Sequence, residues 1–189
     1  MSSDWTCEEH GAVLPLHVLP RVGADVLAAA ARDAKVPLWS PLPLLAGWTA
    51  TGLATAGDER SGTRATAFAL SGPSPLGGPA DLVLVAEEPG VGLGARCAGA
   101  NGVDVTSVLA GPPEAKVEAA GHPTALWRTA SADDRVAFVG EALGVWLWAV
   151  LWPPAAELVL LEHVVLHDLR HDAHAGLDLP LGAPSTRLS

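Results

Sequence analysis

The chain predicts an α+β domain built mainly on an antiparallel β-sheet, with one N-terminal helix and a C-terminal helix. Three observations point there. Residues 48–152 are a succession of short apolar runs separated by Gly, Pro, Asp and Ser. Residues 23–36 (GADVLAAAARDAKV) place Val26, Leu27, Ala30 and Ala34 at helical spacing before Pro37 stops them. Pro153-Pro154 then opens PAAELVLLEHVVLHDLRH, in which Leu158, Leu161, Val165 and Leu169 form one stripe. A total of 189 residues, 49% hydrophobic with mean hydropathy +0.30, is enough for one domain with a sizeable core. The expected division is an opening over residues 1–20, a single α+β domain over 21–174 and a Pro/Gly/Leu-rich tail over 175–189.

Taken in order, the first element after the helix is the Pro-rich connector 37–47 (PLWSPLPLLAG). Proline fixes φ and removes donors, so this stretch is expected to run extended across the surface of the sheet. GWTATGLATAG and TRATAFALSG flank the polar turn DERSG at 58–62, a hairpin signature. DLVLVAEE (81–88) reads as a strand, and Pro89-Gly90 is expected to turn it into a pairing strand, VGLGARCAG. After the segment 100–115 come KVEAAG, TALWRTA, RVAFVGEAL and VWLWAVLW. In the last, Trp146, Trp148, Val150 and Trp152 face one way and Val145, Leu147, Ala149 and Leu151 the other. Both faces are apolar, which predicts a central strand with layers on both sides. For 154–171 a strand pair competes with the helix, because ELVLL and VVLHDL are rich in β-formers.

Charge narrows the function classes. Eleven Lys+Arg against 21 Asp+Glu give a formal charge of −10, which repels phosphate backbones and argues against a nucleic-acid partner. The longest uncharged apolar stretch, 142–156, has 15 residues and ends in prolines, whereas a spanning helix needs about 20, so no membrane span is expected. Two cysteines, Cys7 and Cys97, make no disulfide framework, and the start of the chain lacks the basic-then-apolar signature of a secretory signal, so a cytoplasmic location is expected.

Several residue patterns carry candidate chemistry. Cys7 and His10 have the C-x-x-H spacing of one zinc knuckle, with His17, Cys97 or another chain left to complete four ligands. His163, His167 and His171 fall at i, i+4 and i+8, so on a helix they would share one face and chelate a transition metal, or simply form a solvated face. GVGLGA (90–95) matches G-x-G-x-x-[GA] after a strand, but RCAGANG shows no helical stripe behind it, and close packing of a Gly-rich strand is the plainer reading. Glu87-Glu88 and Glu141 sit in apolar strands, where burial raises a carboxyl pKa unless Arg64, Arg96, Arg128 or Arg135 pairs with it. No G-x-S-x-G, H-E-x-x-H or G-x-x-x-x-G-K-[ST] occurs, and enzymatic activity is not expected. Trp48, Trp127, Trp146, Trp148 and Trp152 either fill the core or line an apolar cleft.

The runs WTCEEHG, KVPLWSPLPLLAGW, AGDERSGTRATAFALSGPSPLGGPADLVLVAEEPGVGLGAR and DDRVAFVGEALGVWLWAVLWP resemble an uncharacterised family of actinobacterial proteins. The resemblance extends from Trp5 to about Arg170. Its members open with C-P-x-C followed by W-x-C-x-x-H-G, together similar to a zinc ribbon, of which this chain keeps Cys7 and His10. That implies a degenerate zinc-ribbon-like opening and zinc as the one cofactor to consider. Some members bear the label phosphotransacetylase, which the residues here do not support, since no phosphate loop or arginine clamp is legible. The element order is also loosely similar to half-barrel carriers that shelter lipid or peptide. The expected function is a non-catalytic cytoplasmic module that binds a protein partner or apolar ligand on a Trp-lined sheet face. The alternative is a metal-binding regulator or metal-dependent enzyme using the C-terminal histidines.

Overall fold

A computed structural model describes residues 6–7, 11–12, 15–19, 21–58, 60–100, 102–171 and 178–188. Apolar alternation on strand after strand produces one ten-stranded sheet, preceded by a two-stranded ribbon of β1 (Thr6–Cys7) and β2 (Gly11–Ala12). The sheet comprises β3 (Leu16–Leu19), β4 (Trp39–Pro41), β5 (Thr49–Asp58), β6 (Gly62–Pro73), β7 (Pro79–Glu87), β8 (Ala115–Ala119), β9 (His122–Thr129), β10 (Val136–Ala142), β11 (Val145–Trp152) and β12 (Val165–Asp168). Its order is β3-β5-β6-β7-β11-β10-β9-β8-β12-β4, antiparallel except where β12 runs parallel to β8. The expected hairpin about 58–62 joins β5 to β6, with Asp58 Oδ1 accepting from the Arg60 and Ser61 amides.

The two faces of β11 separate as its alternation requires. Leu147, Ala149 and Leu151 join Leu53, Phe68, Leu70, Leu82, Leu84 and Phe138 on the first face. That face is covered by α1 (Ala24–Asp33) through Leu27 and Ala31, by β4 through Trp39, and by a 3₁₀ helix (Pro154–Leu161) through Ala156, Val159 and Leu160. A half-barrel carrier would need this face open; here a packed core fills it. Trp148, Val150 and Trp152 join Ala54, Ala65, Ala67, Val83, Val85 and Val139 on the second face. Its cover is α2 (Leu93–Ala98), through Leu93, Cys97 and Ala98, together with Leu188.

The expected helix inventory needs correction. Besides α1 there are α2, α3 (Val105–Leu109) and the 3₁₀ helix. VGLGARCAG does not pair with β7 as a strand: after the turn at Pro89-Gly90 it becomes α2, whose first amides are taken by the Glu87 carboxylate. The segment 154–171 divides: prolines start the 3₁₀ helix, and β12 follows because long-range partners are waiting in β8 and β4. The connector carrying Trp39 is a buried edge strand, a position where proline costs no ladder bond. Residues 178–188, expected as tail, lie on the sheet: the Ala50 amide donates to the Pro180 carbonyl and the Gly182 amide to the Ala50 carbonyl.

Candidate functional site

The five tryptophans divide between the two faces. Trp48 is buried on the first face, so close to Gly72 that a Cβ there would fall 2.4 Å from the indole. On the second face the register aligns Trp127, Val139, Trp148, Val85 and Ala67 in one row across the sheet. Trp127 is half-buried and its indole N–H donates to the Gly111 carbonyl at 2.6 Å. Trp148 and Trp152 are buried at 1% and 3% exposure, Trp148 beneath α2 and Trp152 against the Arg135 and Arg187 guanidinium groups. Trp146, half-buried, is the one of the β11 tryptophans left partly open on this face.

Trp146 and Trp148 line a cleft of about 350 Å³. Its walls are the turn through Pro89, Gly90 and Gly92, Ala95 of α2, and the segment Val103, Asp104, Val105 and Thr106. Asp104 begins α3, its carboxylate accepting from the Ser107 hydroxyl and from the Ser107 and Thr106 amides, and these bonds, the hydroxyl's foremost, hold its pKa below the ordinary carboxylate value. The register sets Glu141 and Glu87 directly opposite Trp146, one on each neighbouring strand. Glu141 is exposed and accepts the Gly144 amide at 3.0 Å.

Glu87 is 2% exposed, and the arginine partner that its sequence setting suggested is not what it has. Its Oε2 accepts the Leu93 amide at 2.6 Å and the Gly94 amide at 3.3 Å, while Arg64 pairs with Glu88 instead. Burial pushes the Glu87 carboxyl pKa up, against the pull of those amides. This arrangement also decides the GVGLGA motif. A helix does follow the strand, but its N-terminus is already occupied by a carboxylate of the chain itself, and the sheet is antiparallel there. A dinucleotide pyrophosphate would need that position.

The histidine pattern loses its premise. His163 lies in the connection between the 3₁₀ helix and β12, His167 in β12 and His171 in the following turn, so no helix face unites them. The His163 imidazole is 3.7 Å from Glu118, and that of His171 is 3.9 Å from Asp168. No group of three or more His, Cys, Asp or Glu is placed to hold a metal ion among the described residues. Cys7 ends β1, opposite Gly11, with its side chain outside the described set; His10 lies outside the described residues altogether. Sequence reasoning also missed Arg187, which stacks on Trp152 and pairs with Asp81, because nothing near it in the chain signals a site.

A family of unknown function, DUF6758, matches residues 1–188. The chain belongs to DUF6758. No curated protein and no solved structure matches it. For a DUF6758 chain the site must therefore be read from its own geometry, and the cleft beside Trp146 is the place where the Trp-lined face remains accessible. No helix among the described residues is long and apolar enough to cross a membrane.

Proposed function

We propose that this DUF6758 chain is a binding module, non-catalytic and cytoplasmic, that takes a protein partner in the cleft beside Trp146. The observation that carries the reading is a half-open indole at the floor of a 350 Å³ cleft, on a face whose other β11 tryptophans are covered. The partner group that suits it is a basic side chain with an apolar stem. Trp146 offers a π-face for a cation, Glu141 stands opposite it, Asp104 forms part of the wall, and the chain's charge of −10 draws a cationic partner. Glu87 does not add a reactive group, because its Oε2 is committed to the α2 amides.

The test is a titration with N-acetyl-arginine amide, followed at the Trp146 indole N–H by NMR. Binding should move that signal and weaken at least about fivefold in Trp146→Leu, the loss expected for a cation–π contact of about 1 kcal/mol. N-acetyl-leucine amide binding as well as the arginine compound would replace the basic partner with an apolar ligand. No movement with either compound would remove the cleft as a site.

A second reading, zinc at the opening of the chain, is favoured by the β1–β2 ribbon. Cys7 ends a strand there, paired with Gly11, and Cys7 and His10 have the C-x-x-H spacing of two zinc ligands. Elemental analysis of purified protein checks it: one zinc per chain, lost in Cys7→Ser, supports the knuckle, and metal-free protein removes it.

A further inference from the structure

The second face carries another concavity, chemically opposite to the first. Leu16, Ala54, Leu93, Arg96, Cys97, Arg135, Arg187 and Leu188 enclose about 80 Å³ at the far end of α2. Its charged lining groups are three arginines, and the carboxylates that pair with two of them, Asp134 and Asp81, are not among the lining residues. That is a concentration of a third of the chain's nine arginines in a protein of charge −10.

Each guanidinium is placed by a different element. Arg135, just before β10, donates through Nη1 to the Cys97 carbonyl at 2.8 Å and pairs with Asp134. Arg187, in the C-terminal segment, pairs through Nε with Asp81 at 2.8 Å. Both stack on the Trp152 ring, 4.8 and 5.1 Å from its centroid, which fixes their planes. Arg96 extends from α2, is exposed, and has no ion pair among the described residues. Two of the three cations are thus paired with carboxylates that do not line the cavity.

We propose that this cavity binds a compact tetrahedral oxyanion, an inorganic phosphate or the terminal phosphate of a larger molecule, between Arg96, Arg135 and Arg187. The volume of about 80 Å³ suits a compact group. Arg135 commits Nε and Nη2 to Asp134 and Arg187 commits Nε to Asp81, which leaves Arg96 and the Arg187 Nη groups as the principal donors, and stacking of Arg187 on Trp152 lowers the cost of ordering it. The site binds and does not react. Cys97 is the nucleophile type present, and burial pushes its thiol up to about 12, so it stays protonated. The site shares no lining residue with the Trp146 cleft and stands or falls independently of it.

The experiment is calorimetric titration of the whole chain with inorganic phosphate, phenyl phosphate and acetate at low ionic strength, repeated on Arg96→Gln and Arg187→Lys. Arg96 is exposed and makes no ion pair among the described residues, so its replacement tests the anion without disturbing the packing. Saturable binding of one phosphate per chain is expected, weakened about tenfold in Arg96→Gln, the loss typical of one charged hydrogen bond. Phosphate bound more tightly than phenyl phosphate assigns the site to the free ion; the reverse order assigns it to the end of a larger ligand. Absence of saturable binding, acetate binding as tightly as phosphate, or an unchanged affinity in both variants would overturn the proposal.

Discussion

Glu87 and Cys97 are both buried on the second face at opposite ends of α2, and burial acts on both in the same direction, toward the neutral form. For Glu87 the folded pKa lies above the unfolded value. Its contribution to stability is therefore fully present below the unfolded pKa of about 4.5 and is lost as pH rises through the raised value. Glu87→Gln keeps a carbonyl oxygen for the Leu93 and Gly94 amides and cannot ionise. Urea denaturation of both proteins should show the stability difference moving in the variant's favour from roughly pH 4 upward and then levelling above the raised pKa. Glu87→Ala, which leaves both buried amides unsatisfied, is expected to cost about 1–3 kcal/mol for each group exposed to that loss. A pH-independent difference for Glu87→Gln would show that the carboxyl is not desolvated. Cys97, with a thiol near 12, should resist iodoacetamide at neutral pH in folded protein and react once urea unfolds it, as peptide mapping at that residue would show.

At the scale of the element, α2 is held by tertiary contacts that outweigh its own propensity. It has six residues, begins after Gly92 and contains Gly94, which lies against the Trp148 ring with 2.3 Å between a built Cβ and the indole. Gly94→Ala should therefore force α2 away from β11, destabilising by at least about 1–3 kcal/mol by overpacking, read as a lower urea midpoint. An unchanged midpoint would mean that α2 does not pack on Trp148 as described. The same contacts explain what the sequence hides. Strand alternation is local, so VWLWAVLW announces its two faces directly, and Trp146 was legible as part of that pattern. The glycines at 90, 92 and 94 argue against a helix, and what holds α2 is tertiary: the Glu87 carboxylate on its first amides, Trp148 against Gly94, and the burial of Leu93, Cys97 and Ala98 on the sheet. The segment after Pro154 carries helical and strand signals together, and the choice is made by β8 and β4, far away in the chain. That choice dissolves the i, i+4, i+8 histidine pattern. Arg187 meets Asp81 across 106 residues, a separation no periodicity can show.

Across the whole molecule, the first face is sealed by α1, β4 and the 3₁₀ helix, and the second depends on α2 and the segment 178–188. The alanines Ala54, Ala65, Ala67 and Ala69 make this face shallow enough for that segment to approach; a Cβ on Gly52 would come 2.8 Å from Leu188 Cδ1. Three backbone bonds, Ala50 to Pro180, Gly182 to Ala50 and Ser185 to Thr51, tie the segment to the edge of β5 left open beyond β3. Its apolar anchors are Leu188, 4% exposed in the second-face core, and Leu179, 8% exposed in the core of the first face. A chain ending at residue 177 should lose at least about 3 kcal/mol, the burial free energy of two leucines at roughly 1.5–3 kcal/mol each. It should also bind an apolar dye on the uncovered alanines and Trp152, and exchange the Ala50 amide faster with deuterium. The same truncation removes Arg187, so phosphate affinity should fall with it, while the response of Trp146 to N-acetyl-arginine amide should persist. A truncated chain with an unaltered unfolding midpoint and no dye binding would show that the segment merely rests on the sheet. Loss of the Trp146 response would instead show that the two concavities are coupled through α2, the element they share.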